Sequence, residues 1–125
     1  MAVRPELHLR LANSPGALAS VLAALDSERI RVLALSVERS GDTRLIVDNA
    51  EHAAATLAER HVRVEKRDAI VTSVPPRSAS TLLASVASAG INIEYAYMSS
   101  LGADGMAALV LGVDDAMKAA TRAGL

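Results

Sequence analysis

The chain has 125 residues, a length that fits one domain or two very small ones. Hydrophobic residues make up 51% of it, which is enough for a packed core and excludes global disorder, but aromatic residues make up only 2%. Because 13 basic residues stand against 14 acidic ones, the chain lacks the basic surface of a nucleic-acid-binding protein. The absence of cysteine excludes disulfides and thiolate metal sites and fits a reducing compartment.

The sequence shows neither a targeting segment nor a catalytic motif. The N-terminus lacks the apolar region of a signal peptide, and no run approaches the roughly 20 apolar residues that span a bilayer. We therefore expect a cytoplasmic protein with no membrane partner. Nucleophile elbows, zinc-protease helices and phosphate-binding loops are absent, which predicts a non-catalytic protein without a cofactor. His8, His52 and His61 lack metal-ligand spacing and are predicted to be surface residues.

The first predicted elements are a strand, a turn and a helix. Leucines at alternate positions from Leu7 to Leu11 predict a half-buried strand. The segment Asn13–Gly16 then breaks the strand, with Ser14 as the expected N-cap and Pro15 as the first helical residue. Apolar residues next recur at helical spacing and predict one buried helix face, formed by Leu18, Val21, Leu22 and Leu25.

Two strands, a second helix and a short strand complete the first half. Runs rich in β-branched residues predict strands over Ile30–Val37 and Thr43–Val47. Asp48 and Glu51 have the spacing of a capping box, which predicts a helix to about residue 60. Val62–Lys66 predicts the last strand. The resulting order, β-α-β-β-α-β, is the ferredoxin-like plan.

The second half of the chain repeats the first. Matches occur first at an offset of 61 residues and later at 66, so the second half holds about five extra residues. The pairs are Pro15 and Pro76, Val21 and Leu82, Leu22 and Leu83, Leu25 and Val86, Ile30 and Ile91, Val32 and Ile93, Val47 and Val113, Asp48 and Asp114, Ala53 and Ala119, and Ala54 and Ala120. The predicted elements are strand Ala69–Val74, helix Ser78–Ala89, strand Ile91–Met98, turn Leu101–Gly105, strand Met106–Val113 and a helix from Asp114 to about Ala123.

These elements predict an α+β protein of two tandem ferredoxin-like modules with antiparallel sheets, residues 1–67 and 68–125. The second module lacks its last strand, because the sequence ends at Leu125. We therefore expect an unpaired sheet edge at Ala69–Val74 and a homodimer or higher oligomer that covers it. In the alternative, Val62–Lys66 or the tail of the chain covers this edge and the protein is monomeric.

Four segments resemble ACT domains, and the resemblance covers nearly the whole chain. The turn Asn13-Ser14-Pro15-Gly16-Ala17-Leu18 resembles the (Asp/Asn)-x-Pro-Gly-x-Leu turn before the first ACT helix. Arg44–Asp48 is similar to the third ACT strand, Gly90–Tyr95 to the second-strand signature of tandem-ACT proteins, and Val113–Asp115 to the helix start that follows. The family implies amino-acid-binding regulatory modules that pair through their sheets, similar to the stand-alone pairs named after the acetolactate synthase regulatory subunit.

The two halves depart from the family pattern to different degrees. Arg29 stands where the second half has Gly90 and where the family favours glycine. The second turn has Pro76 and Arg77 where the first has Pro15 and Gly16, so its Pro-Gly pair is lost. We therefore expect the second site to be degenerate and the first turn to be the main one.

The first turn has a physical reason to bind an amino acid. The first amides of a helix lack internal partners and lie at the positive end of its dipole, so Gly16, Ala17 and Leu18 could hold a carboxylate. Asn13 could accept from an ammonium group. Specificity would come from the second strand of a neighbouring module, through Asn92, Glu94 or Tyr95.

Alternatives remain open for each of these residues. Asn13–Gly16 is also a good structural connection, and Asp48 and Asp114 are predicted to be helix caps rather than ligands. The face that carries Asn92 and Glu94 could be solvated, and Tyr95 and Tyr97 are expected to pack.

The sequence as a whole favours a regulatory protein that binds a small-molecule effector, an amino acid, and allosterically controls a metabolic enzyme. The alternative is an accessory subunit that docks such an enzyme without its own ligand. An RNA-binding sheet is disfavoured, because it needs stacking aromatic residues and the chain has no Phe or Trp.

Overall fold

The computed structural model describes residues 2–99 and 104–125. Most of the turn predicted at Leu101–Gly105 lies outside these residues. The elements are β1 Val3–Arg10, α1 Ala17–Ser27, β2 Val32–Val37, β3 Asp42–Val47, α2 Ala50–Glu59, β4 Val64–Val74, a 3₁₀ turn at Pro76–Ser78, α3 Ala79–Ser88, β5 Tyr95–Met98, β6 Ala107–Gly112 and α4 Ala116–Ala123. The chain forms two compact units: one is Pro5–Arg67, and the other joins Met1–Arg4 to Asp68–Leu125.

The unit Pro5–Arg67 has the strand order β2-β3-β1-β4, which is the ferredoxin-like order. Strand β3 pairs antiparallel with both neighbours, and Leu45 lies opposite Leu7 on one side and Leu35 on the other. Both helices pack on the same face of this sheet, because residues of α1 and α2 share a core with Leu7 and Leu45. The predicted α+β fold with antiparallel sheets is therefore confirmed.

The buried face of α1 is rotated from the predicted one. The structure buries Val21, Ala24 and Leu25, while Leu18 and Leu22 are only half-buried. The prediction that Leu22 is a core residue is therefore wrong. The prediction counted only the large apolar residues. Ala24 is small, but it lies between Val21 and Leu25 on the buried face of the helix.

The second unit completes its sheet with the start of the chain. Its strand order is β4-β6-β5, and β1 lies beside β4. The amide of Val71 donates to the carbonyl oxygen of Ala2 at 2.7 Å, and Ala2 and Val3 pack against this unit's core. The edge at Ala69–Val74 was predicted to be unpaired, and that prediction is wrong, because residues from the N-terminus occupy the position of the missing fourth strand.

Two helices are capped one residue later than predicted. Asn49 caps α2 by accepting from the amide of His52 at 3.1 Å, and Asp115 caps α4 by accepting from Lys118, also at 3.1 Å. Asp48 and Asp114 are therefore not the caps that the sequence suggested. Asp48 instead accepts from the amide of Arg31 at 3.1 Å and so joins the end of β3 to the start of β2.

Candidate functional site

The Asn13–Leu18 turn leads into α1 through a left-handed residue. Helix α1 begins at Ala17 with Gly16 as its N-cap, so the prediction of Ser14 as cap and Pro15 as first helical residue is wrong by two positions. Gly16 has φ of 85°, a conformation that L side chains rarely adopt, and no described atom lies within 4 Å of the position that a β-carbon would take. The backbone itself thus favours glycine here, before any ligand is considered.

The start of α1 keeps free hydrogen-bond donors. No side chain caps it, in contrast to Asn49 at α2 and Asp115 at α4. The amide of Ala17 donates to Ser14 at 3.3 Å, whereas the amides of Gly16, Leu18 and Ala19 have no hydrogen-bond partner within the described residues. Three donors at the positive end of a helix are therefore available to an anionic group.

A cavity of about 920 Å³ adjoins this helix start, inside the unit Pro5–Arg67. The end of β1, the start of β3, the first turns of α1 and the segment leading into β4 form its walls. Leu9, Val21 and Val62 supply apolar wall, and Ala17 is the predicted site residue that lines it. The volume lies in the range of small-molecule sites.

Charged side chains surround the cavity. Arg44 is held by Glu38 at 2.7 Å, and the Arg10–Asp42 pair is loose, at 3.9 Å between exposed side chains. Arg63 also lines the cavity and has no ion-pair partner within the described residues. The walls therefore combine apolar surface with cationic groups that an acidic ligand could reach.

Glu6, next to His8 of the cavity wall, is a buried acid that was not predicted from the sequence. Glu6 is fully buried, and its carboxylate lies 2.5 Å from Nε2 of His8, whose side chain is only 18% exposed. His8 was predicted to be a surface residue, and that prediction is wrong. The alternation of β1 places Glu6 and His8 opposite Leu7 and Leu9, but nothing in the local pattern shows that this second face is covered.

The other predicted site residues belong to the second unit. Asn92 and Glu94 are exposed and precede β5, which begins only at Tyr95 rather than at Ile91 as predicted. The ring of Tyr95 occupies the space where a β-carbon on Gly112 would lie, so this tyrosine packs across β6. The structure therefore does not place these three residues in the cavity-bearing unit.

The second turn differs in structure from the first. Pro76–Ser78 forms a 3₁₀ turn with Pro75 before it, and α3 follows at Ala79 without a side-chain cap. No glycine occupies this connection. The two helix starts are thus uncapped in different local geometries, and only the first follows a Pro-Gly pair.

The described residues contain no group of three or more His, Cys, Asp or Glu side chains that could hold a metal ion. Among the same residues, no helix is long and apolar enough to cross a bilayer.

Comparisons with known proteins identify the fold. No family model and no curated protein matches the chain. Protein BT0572 from Bacteroides thetaiotaomicron matches 97% of this chain and 86% of its own, with a TM-score of 0.83 and 26% identity. The ligand-free regulatory subunit of aspartate kinase from Thermus thermophilus matches 99% of this chain and 96% of its own, with a TM-score of 0.64 and 19% identity.

A third match is aspartokinase III of E. coli in complex with lysine and aspartate, which covers 97% of this chain and 31% of that one at 19% identity and a TM-score of 0.59. The chain therefore has the ferredoxin-like α+β fold seen in aspartate kinase regulatory subunits. The likeness to acetolactate synthase regulatory-subunit-like proteins stays a prediction.

Proposed function

We propose that the protein is a non-catalytic regulatory protein that binds an amino acid at the start of α1. The observation that carries this proposal is the set of three unpartnered amides at Gly16, Leu18 and Ala19 beside the 920 Å³ cavity. The regulatory subunits that share its fold act with aspartate kinase, which supports control of a metabolic enzyme as the role.

In this proposal each part of the amino acid has its own contact in the site. The effector's carboxylate accepts from the free amides and is stabilised by the dipole of α1. Its side chain extends along the apolar wall at Leu9 and Val21, away from water. Asn13 accepts from the ammonium group.

A charge at the first helical position tests this site. Ala17→Asp places a carboxylate where the effector's carboxylate would sit, while an acid in the first turn favours the helix itself by about 0.3–1 kcal/mol. In a thermal-shift screen of amino acids, a ligand at 100 times its Kd stabilises the wild type by about 2.7 kcal/mol. We expect Ala17→Asp to remove this stabilisation without lowering the Tm of the free protein.

The matched control is Ala79→Asp, at the first residue of α3, which is also uncapped. This variant should keep the ligand response. A response lost at Ala79 and kept at Ala17 would move the site to the second unit. A wild type that no amino acid or common metabolite stabilises would favour the alternative function, an accessory subunit that binds an enzyme without an effector.

We also propose that the protein is a homodimer, through the edge of β2 rather than the edge first predicted. Strand β2 ends the strand order, carries no charged residue and exposes Leu35 and Val37 by 36% and 44%. Light scattering should give twice the chain mass of 13.0 kDa. Leu35→Lys should yield the monomer, whereas Met117→Lys, at an exposed residue of α4, should not. A wild-type monomer at micromolar concentration would refute the proposal.

A further inference from the structure

The cations around the cavity at α1 point to the chemical class of its ligand. We infer that the effector is an amino acid with a second carboxylate, which Arg10 and Arg63 bind. This inference rests on the proposed function and extends it, because the free amides at the helix start would bind the α-carboxylate of any amino acid equally well.

Two of the five basic side chains that line the cavity are already engaged. Arg44 is held by Glu38 at 2.7 Å, and His8 by the buried Glu6 at 2.5 Å. Both side chains therefore already have an acidic partner within the fold. They contribute to the wall of the cavity rather than to the recognition of a ligand.

Unlike Arg44, the guanidinium groups of Arg10 and Arg63 have no close acidic partner among the described residues and can bind a ligand's carboxylate. Arg10 meets Asp42 only at 3.9 Å, with its side chain 73% exposed, so this pair is weak and exchanges readily with another carboxylate. Arg63 has no ion-pair partner within the described residues. A guanidinium presents a planar fork of donors that matches a carboxylate in bidentate geometry.

The other residues of the cavity wall indicate what carbon chain and what total charge the ligand has. Leu9, Val21 and Val62 are apolar, so the carbon chain between the two carboxylates passes over an apolar part of the wall. Asp42 and Glu65 also line the cavity and disfavour a ligand with an excess of acid, which limits the effector to one carboxylate beyond the α-carboxylate.

The first test compares acids with their isosteric amides. Isothermal titration calorimetry of the full chain would use aspartate, glutamate and 2-aminoadipate, with asparagine and glutamine as the neutral counterparts. At least one acid should bind about tenfold or more tightly than its amide, since a charged pair replaces a neutral hydrogen bond. If an amide binds as tightly as its acid, this inference is wrong while the proposed function stands. If no amino acid binds, both are wrong.

The second test substitutes the charged residues that line the cavity. Arg63→Gln should reduce the affinity for the preferred acid about tenfold and leave the affinity for the amide unchanged. Asp42→Asn, which removes the competing carboxylate from Arg10, should raise the affinity for the acid a few-fold. Arg60→Gln is the matched control, because Arg60 is an exposed residue of the same loop that does not line the cavity.

The outcomes separate recognition from a general effect of charge. An equal loss of acid binding in Arg60→Gln and Arg63→Gln would show that only the overall field matters, and would overturn the assignment of Arg63. That assignment is also wrong if Arg63→Gln weakens the binding of acid and amide equally. All three positions are exposed, so folding is checked by the unfolding temperature of each variant without ligand.

Discussion

Leu25→Ala is expected to destabilise the protein by about 2–5 kcal/mol, as truncation of a buried leucine does. Leu25 is fully buried at the centre of the core between α1 and the sheet of its unit. Leu22, which the hydrophobic pattern marks equally, is half-buried and lines an open groove beside β2. Leu22→Ala should therefore cost less than half as much.

Urea unfolding followed by circular dichroism measures both variants under the same conditions. The comparison is matched, because both substitutions remove the same atoms from the same helix and have the same effect on helix propensity. If Leu22→Ala proves as costly as Leu25→Ala, the helix packs with the face predicted from the sequence and the rotation described above is wrong.

Gly41→Ala should destabilise the protein by about 3–4 kcal/mol, because it combines backbone strain with a steric clash. Gly41 has φ of 94°, and a β-carbon there would overlap the carbonyl oxygen of Leu11. Its own carbonyl accepts from the amide of Leu11 at 2.9 Å, so the two backbones cannot separate without losing a hydrogen bond.

Gly105→Ala separates the two causes. Gly105 has a similar φ of 76°, but no atom of residues 2–99 and 104–125 lies within 4 Å of the position that its β-carbon would take. This control should cost only about 1 kcal/mol, the penalty of the backbone conformation. Equal costs at Gly41 and Gly105 would show that the Leu11 carbonyl moves freely. Because Leu11 and Asp42 line the cavity, Gly41→Ala should also weaken the binding of any effector.

Much of the fold could be predicted because the chain contains the same pattern twice. The offset of 61 residues aligns Leu25 with Val86, and both are fully buried in the structure. The later offset of 66 aligns the two caps, Asn49 and Asp115, although the sequence placed both caps one residue early. Hydrophobic periodicity predicts that a helix is present. The position of its cap depends on which residue leaves helical geometry, and two neighbouring polar residues fit the sequence pattern equally well.

The candidate site was only partly predictable. The Asn13–Leu18 turn stood out from its residues alone, since Pro-Gly before an apolar helix is a local signal. Arg63 did not, because its place in the cavity follows from the pairing of β1 with β4, more than 50 residues apart in the chain. The partner of Ala69–Val74 was missed for the same reason. We predicted a missing strand from the order of elements, but not that Ala2 would bond to Val71 of β4.

The use of Ala2 and Val3 in the second unit has a consequence for synthesis on the ribosome. Ala2 is synthesised before Val71, to which it is bonded, and the two residues lie roughly 70 positions apart in the chain. Every residue of the unit Pro5–Arg67 has been synthesised once Arg67 is added, whereas the other unit also needs residues that follow Arg67. Until Val71 has been synthesised, the carbonyl of Ala2 lacks the amide to which it is bonded in the folded protein.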